Sequence, residues 1–86
     1  MASSIHISGL PFFYTNEQLR KIFVPFGTVE SAQVLRDEYG HSFGLGVVQM
    51  SCPEDVEHIF SAQQLFQAAG THLDIWEPPD LNHKQI

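Results

Sequence analysis

Hydrophobic periodicity switches along this chain between two and 3.6 residues, and the order of those switches limits the folds open to it. Ser4 to Ser8 (SIHIS) alternates, with Ile5 and Ile7 on one side and His6 and Ser8 on the other. That is the pattern of a half-buried strand. Gly9-Leu10-Pro11 ends it. Leu19, Ile22, Phe23 and Phe26 then recur at i, i+3, i+4 and i+7, one apolar stripe on a helix over residues 15–26. Thr15 with Gln18 forms a capping box at its start. Pro25 and Gly27 are stop signals. Val29 to Arg36 returns to alternation, with Ala32 and Val34 on one face and Gln33 and Leu35 on the other. Asp37-Glu38-Tyr39-Gly40 is turn chemistry, and Phe43 to Met50 reads as the third strand. Ser51, Pro53 and Glu54 mark a second capped helix with Val56, Ile59 and Phe60 inward. Gln63–Ala69 fits either a longer helix or a loop, and Gly70 stops it. His72 to Glu77 alternates once more, Leu73 and Ile75 inward, His72, Asp74 and Trp76 outward.

The order βαββαβ, with two amphipathic helices, predicts an α+β fold. It is a ferredoxin-like sandwich: a four-stranded antiparallel sheet with both helices on one face. The domain is expected over residues 1–79, closed by Pro78-Pro79, with a polar tail at 80–86. The other sheet face has no covering layer. Strand alternation assigns to it His6, Ser8, Gln33, Leu35, Leu45, Val47, Gln49, His72, Asp74 and Trp76.

Composition narrows what such a face can do. The 86 residues carry a net charge of −6, with only four Lys and Arg: Arg20, Lys21, Arg36 and Lys84. Nucleic-acid affinity is largely phosphate neutralisation, so that contribution is small here. Histidine as a residue type ionises near pH 6.5, so the five histidines are an additional source of positive charge as pH falls. A single cysteine, Cys52, excludes an internal disulfide and a thiolate metal site. The scattered histidines do not supply a third ligand for one. No Ser/His/Asp or Cys/His arrangement is present, so no catalytic residue, metal or cofactor is expected. No apolar run approaches the ~20 residues of a membrane span, and no targeting segment is recognisable at the N-terminus. Cytoplasm or nucleus is the expected compartment.

With this element order the chain resembles the RNA recognition motif (RRM) family over residues 4–78, and in particular its small single-motif members with a degenerate RNP1. IHISGL (5–10) stands where the family has its RNP2 hexamer, GLPFFYTNEQLRKIFVPFGTVESAQVLRD (9–37) resembles its first helix and second strand, and EYGHSFGLGVVQMSCPEDVEHIF (38–60) resembles the loop after that strand, the RNP1 strand and the start of the second helix. RNP1 reads basic–Gly–aromatic–Gly/Ala–aromatic–apolar–x–aromatic. Here Phe43 stands at the basic position, Gly44 and Gly46 at the small positions, and Leu45 and Val47 at the two base-stacking positions. Val48 is the inward apolar residue, and Met50 replaces the last aromatic. His6 stands at the RNP2 stacking position. Loss of two stacking platforms removes roughly 2–6 kcal/mol as an upper bound, because Leu and Val still offer apolar contact.

The resemblance implies single-stranded RNA on the open face with weak to moderate affinity. His6 and Trp76 would stack on bases, Leu45 and Val47 would give apolar contact, and Gln33 and Gln49 would read base edges. Ser8, Leu35, His72 and Arg36 complete the expected set, Arg36 with positive charge. Each has an ordinary alternative: a strand-face histidine, solvated glutamines, or a Trp76 covered by the tail. Arg20 and Lys21 lie on the helix side and are expected to be solvated. A different reading is a protein-interaction RRM. Leu35, Leu45, Val47 and Trp76 then form an apolar patch for a partner chain or a second copy, and the acidic surface discourages RNA. In the aromatic run Phe12-Phe13-Tyr14, Phe12 is expected in the core, with one of the other two exposed.

Overall fold

A computed structural model describes residues 3–77. The expected tail at 80–86, and any cover it provides to the sheet, lie outside these residues. The elements are β1 (Ser4–Ser8), α1 (Asn16–Phe23), a 3-10 turn (Val24–Phe26), β2 (Val29–Arg36), β3 (Ser42–Met50) and α2 (Pro53–Ser61). A second 3-10 turn (Gln63–Leu65) and three short strands follow: β4 (Gln67–Ala68), β5 (Thr71–His72) and β6 (Asp74–Trp76). The main sheet is antiparallel, in the order β2-β3-β1-β6. β4 and β5 form a separate hairpin.

The start of α1 follows the capping-box expectation. Thr15 Oγ1 accepts from the Gln18 amide at 3.1 Å, and Gln18 Oε1 accepts from the Thr15 amide at 2.9 Å. The α-helix ends at Phe23, three residues earlier than the apolar stripe suggests, because Pro25 forces the last turn into 3-10 geometry. α2 departs from expectation at its start. Cys52 rather than Ser51 is the N-cap, no side chain caps it, and Pro53 fills the first helical position. Ser51 instead donates its amide to the Thr28 carbonyl at 3.0 Å, which holds it back in the strand-to-helix turn.

The core lies between the helices and the inward sheet face. Ile5, Ile7, Val48, Met50, Val34, Leu19, Phe23, Val56, Ile59 and Ile75 are all buried. Each large apolar side chain so placed contributes about 1.5–3 kcal/mol. Phe66, in the segment the sequence left open, closes one end. Its ring stacks on Phe23 at 4.9 Å and tilts against Phe26 at 5.1 Å. α1 is also tied to the sheet by a polar contact: the Val34 amide donates to Asn16 Oδ1 at 2.8 Å.

The two glycines of GLGVVQM have different causes. Gly44 has φ +76°, a left-handed conformation that strains other residues. Gly46 faces the helices, and a Cβ there would stand 2.8 Å from Leu19 Cδ2 and 2.9 Å from Leu10 Cδ1. The absent side chain at Gly46 is what lets α1 lie close on the sheet.

Candidate nucleic-acid interface

The burial pattern of β1 alternates as its sequence does, which leaves His6 and Ser8 on the face opposite the helices. Register then orders that face into rows. Gln33 pairs with Val47, Val47 with His6, and His6 with Trp76, so one row of side chains crosses all four strands. A second row holds Leu45, Ser8 and Asp74. A third holds Ser31, Gln49 and Ser4. In the first row the rings of His6 and Trp76 meet edge to face, with centroids 5.7 Å apart and planes at 80°. Aromatic pairs favour this arrangement because the positive edge of one ring meets the negative face of the other. Trp76 remains 41% exposed. The pair therefore offers flat π surface to a ligand while each ring is held by its neighbour.

One expected member stands elsewhere. His72 is not on the sheet. The last strand of the sheet is only Asp74–Trp76, and His72 pairs with Gln67 in the β4–β5 hairpin. The Ala69-Gly70 turn, both residues at positive φ, folds the chain back before the sheet is reached. Leu35 sits at a register irregularity between Val34 and Arg36 and is half-buried. Leu45 and Val47 are half-buried too, so in the expected patch of Leu35, Leu45, Val47 and Trp76 only Trp76 is exposed and the other three present part of their surface. Arg36 is engaged: its guanidinium donates to the Tyr14 carbonyl at 2.7 Å and the Gly40 carbonyl at 3.2 Å. Both acceptors are neutral, so the side chain keeps its positive charge at that end of the sheet.

Four exposed aromatic residues lie in the loops and the strand start near that end, apart from Val24, Leu65 and Trp76, which are exposed elsewhere. Phe12 and Phe13 are both exposed, and Tyr14, not Phe12, packs against the core. Tyr39 and Phe43 are exposed as well. A sequence signal existed: three consecutive aromatics after Gly-Leu-Pro cannot all turn inward from one short loop. Among the described residues no three His, Cys, Asp or Glu side chains gather as a metal site. No helix among them is long and apolar enough to cross a membrane.

Residues 5–74 match the RNA recognition motif family. The chain belongs to that family. Its RRM is 36% identical over 85 residues to a polyadenylate-binding protein, cytoplasmic and nuclear, from Eremothecium gossypii; this covers 96% of the chain and 14% of the relative. The chain thus spans a small part of that protein. Among solved structures, the RRM superposes on RNA-binding protein PG1 with a TM-score of 0.79 at 27% identity, covering 91% of this chain and 99% of that one. The Caenorhabditis elegans NONO-1 homodimer gives a TM-score of 0.80 at 26% identity, covering 98% of this chain and 36% of that one. These likenesses agree with the ferredoxin-like architecture built above from strand order and register.

Proposed function

We propose that this RRM is a single-stranded RNA-binding module that takes bases on its open sheet face. The observation that carries this is the row Gln33–Val47–His6–Trp76, which crosses all four strands and presents a mutually braced aromatic pair. His6 and Trp76 stack on bases, Val47 and Leu45 provide apolar contact, and Gln33 and Gln49 hydrogen-bond to base edges. Ser8 lies in the neighbouring row and lines the same path. The relatives support the reading: one is named a polyadenylate-binding protein and another an RNA-binding protein. Affinity is weak to moderate, because Leu45 and Val47 replace stacking rings and Asp74 sets a negative charge among them. The module binds rather than catalyses, and a cytoplasmic or nuclear setting fits it.

The test is a titration with a pool of short single-stranded RNAs, read by amide shifts. Shifts concentrated on β1, β2, β3 and β6 are expected. His6→Ala and Trp76→Ala should each weaken binding by about 5-fold or more, and Arg20→Ala by less than twofold. Equal effects would place binding on the helix side. The second reading, a protein-interaction RRM, is favoured by the net charge of −6 and by the dimeric NONO-1 neighbour. A concentration-dependent dimer with no response to millimolar RNA would establish it instead.

A further inference from the structure

On the helix side, α2 leaves a gap over the sheet. Pro53, Val56, Glu57 and Phe60 recur at i, i+3, i+4 and i+7, which makes them one stripe of that helix. A cavity of about 440 Å³ lies between this stripe, Ser3 just ahead of β1, and Glu77 just after β6. That volume falls within the range of small-ligand sites. Val56 is buried and Phe60 half-buried, so one wall is apolar. Glu57 and Glu77 are exposed and make the rim acidic. Glu77 continues the alternation of Leu73 and Ile75, which are buried on the helix side. A carboxylate thus stands where the strand pattern calls for another core residue. Ser3 is 4% exposed, and its carbonyl accepts from the Met50 amide at 2.9 Å, which fixes it against β3. Its Oγ is buried without a hydrogen-bond partner among the described residues.

We propose that this cavity is a binding pocket for a guanidinium group, the side chain of an arginine on a partner protein. Two carboxylates at one opening attract a cation, and among the described residues neither is in an ion pair, the pair present being His41 with Asp37. A buried hydroxyl left unpaired costs about 1–3 kcal/mol, and an N–H donor entering the cavity would remove that cost at Ser3. A guanidinium suits the lining better than an ammonium. It is planar and weakly hydrated, its five donors can serve both carboxylates and the hydroxyl, and it stacks on an aromatic ring such as that of Phe60. A phosphate is repelled by the same carboxylates, so nucleic acid is excluded as the occupant. Charge around the pocket extends the preference: Glu54 and Asp55 lie in the first turn of α2, and the chain carries a net −6. None of the lining residues belongs to the rows of the open face. The pocket is therefore independent of the RNA-binding reading and stays available while that face is occupied.

The probes are the capped peptide acetyl-Gly-Arg-Gly-amide, its lysine and norleucine counterparts, and free arginine, each titrated into the full chain and read by amide shifts. The arginine peptide should shift the amides of Ser3, Val56, Glu57, Phe60 and Glu77 with a Kd of about 1 mM, and added salt should weaken it. The lysine peptide should bind about 3-fold or more weakly, and the norleucine peptide should not bind. Free arginine should bind more weakly than the peptide, because its own carboxylate meets Glu57 and Glu77. Glu57→Gln with Glu77→Gln, at two exposed positions, should keep the parent's thermal melt and weaken the arginine peptide about 5-fold or more. Ser3→Ala separates binding from folding: loss of an unpaired buried hydroxyl should leave Tm unchanged or raised, while arginine binding weakens about 2-fold or more. No shift up to about 20 mM peptide, or equal shifts from the norleucine peptide, overturns the pocket. Free arginine that binds as tightly as the peptide would assign the pocket to a free amino acid and overturn the partner protein. Shifts that appear only in Lys84→Gln would make the chain's own lysine the occupant, with the same consequence. Each of these failures leaves the sheet reading intact.

Discussion

Val47→Phe should raise RNA affinity, and the size of the gain can be worked from the register. Val47 lies between Gln33 and His6 in the row that ends at Trp76. Directly opposed residues on one face of an antiparallel pair have Cβ atoms about 4.5–5.5 Å apart. A ring at 47 would therefore stand beside His6, which already meets Trp76 at 5.7 Å. A stacked base is worth ~1–3 kcal/mol by truncation. Val47 already supplies part of that by apolar contact, so the increment is about 1–2 kcal/mol, roughly 5- to 30-fold in Kd. Val47 is half-buried, so a thermal melt of the variant checks that the larger ring is accommodated. Anisotropy with an eight-nucleotide single-stranded pool, at 50 and 150 mM salt, is the assay. The gain should be the same at both salt concentrations, because no charge has been added. A change below twofold, with an unaltered melt, would mean that bases do not pass over this row, and the reasoning from register to function would fail.

Two further expectations concern what positions the row. Gly46→Ala places a methyl 2.8 Å from Leu19 Cδ2 and 2.9 Å from Leu10 Cδ1, both in buried side chains. It should cost about 1–3 kcal/mol and be relieved in part by Leu19→Val. Strict additivity in that double-mutant cycle, measured by denaturant unfolding, would rule out the contact as the cause. Asn16→Ala leaves the Val34 amide without its acceptor, a loss of about 1–3 kcal/mol. Asn16→Asp, which keeps an acceptor oxygen, should recover most of it in a thermal melt.

The fold was legible because its signals are local and periodic. The alternation in SIHIS and the stripe Leu19/Ile22/Phe23/Phe26 each depend on neighbours a few residues away. The Thr15/Gln18 box formed as read, for the same reason. Failures occur where a long-range contact chooses between local options. Ser51 is a good cap by residue type, but its amide is claimed by Thr28 across the sheet end, and the helix starts one residue later. His72 continues the alternation of β6 perfectly, yet the Ala69-Gly70 turn pairs it with Gln67. Alternation states which side a residue faces; it does not state which sheet it joins. For the run Phe12-Phe13-Tyr14, composition predicts that one ring is buried, but which one depends on loop geometry. The Arg36 bridge to the Tyr14 carbonyl fixes that geometry, and Tyr14 packs.

These departures bear on how the surface can work. A sheet with aromatic residues at both RNP1 stacking positions and a basic residue at its start gains affinity from stacking and from phosphate neutralisation at the same place. Here Leu45 and Val47 remove most of the first from the centre, and Phe43 removes the second from the edge. The flat aromatic surface that remains on the sheet is the pair of His6 with Trp76 on β1 and β6. On the RNA-binding reading proposed above, the stacking energy of the module would come from that pair. With few cations, its salt dependence should also be shallow, a slope set by one or two phosphates rather than the six to ten of a strongly basic site.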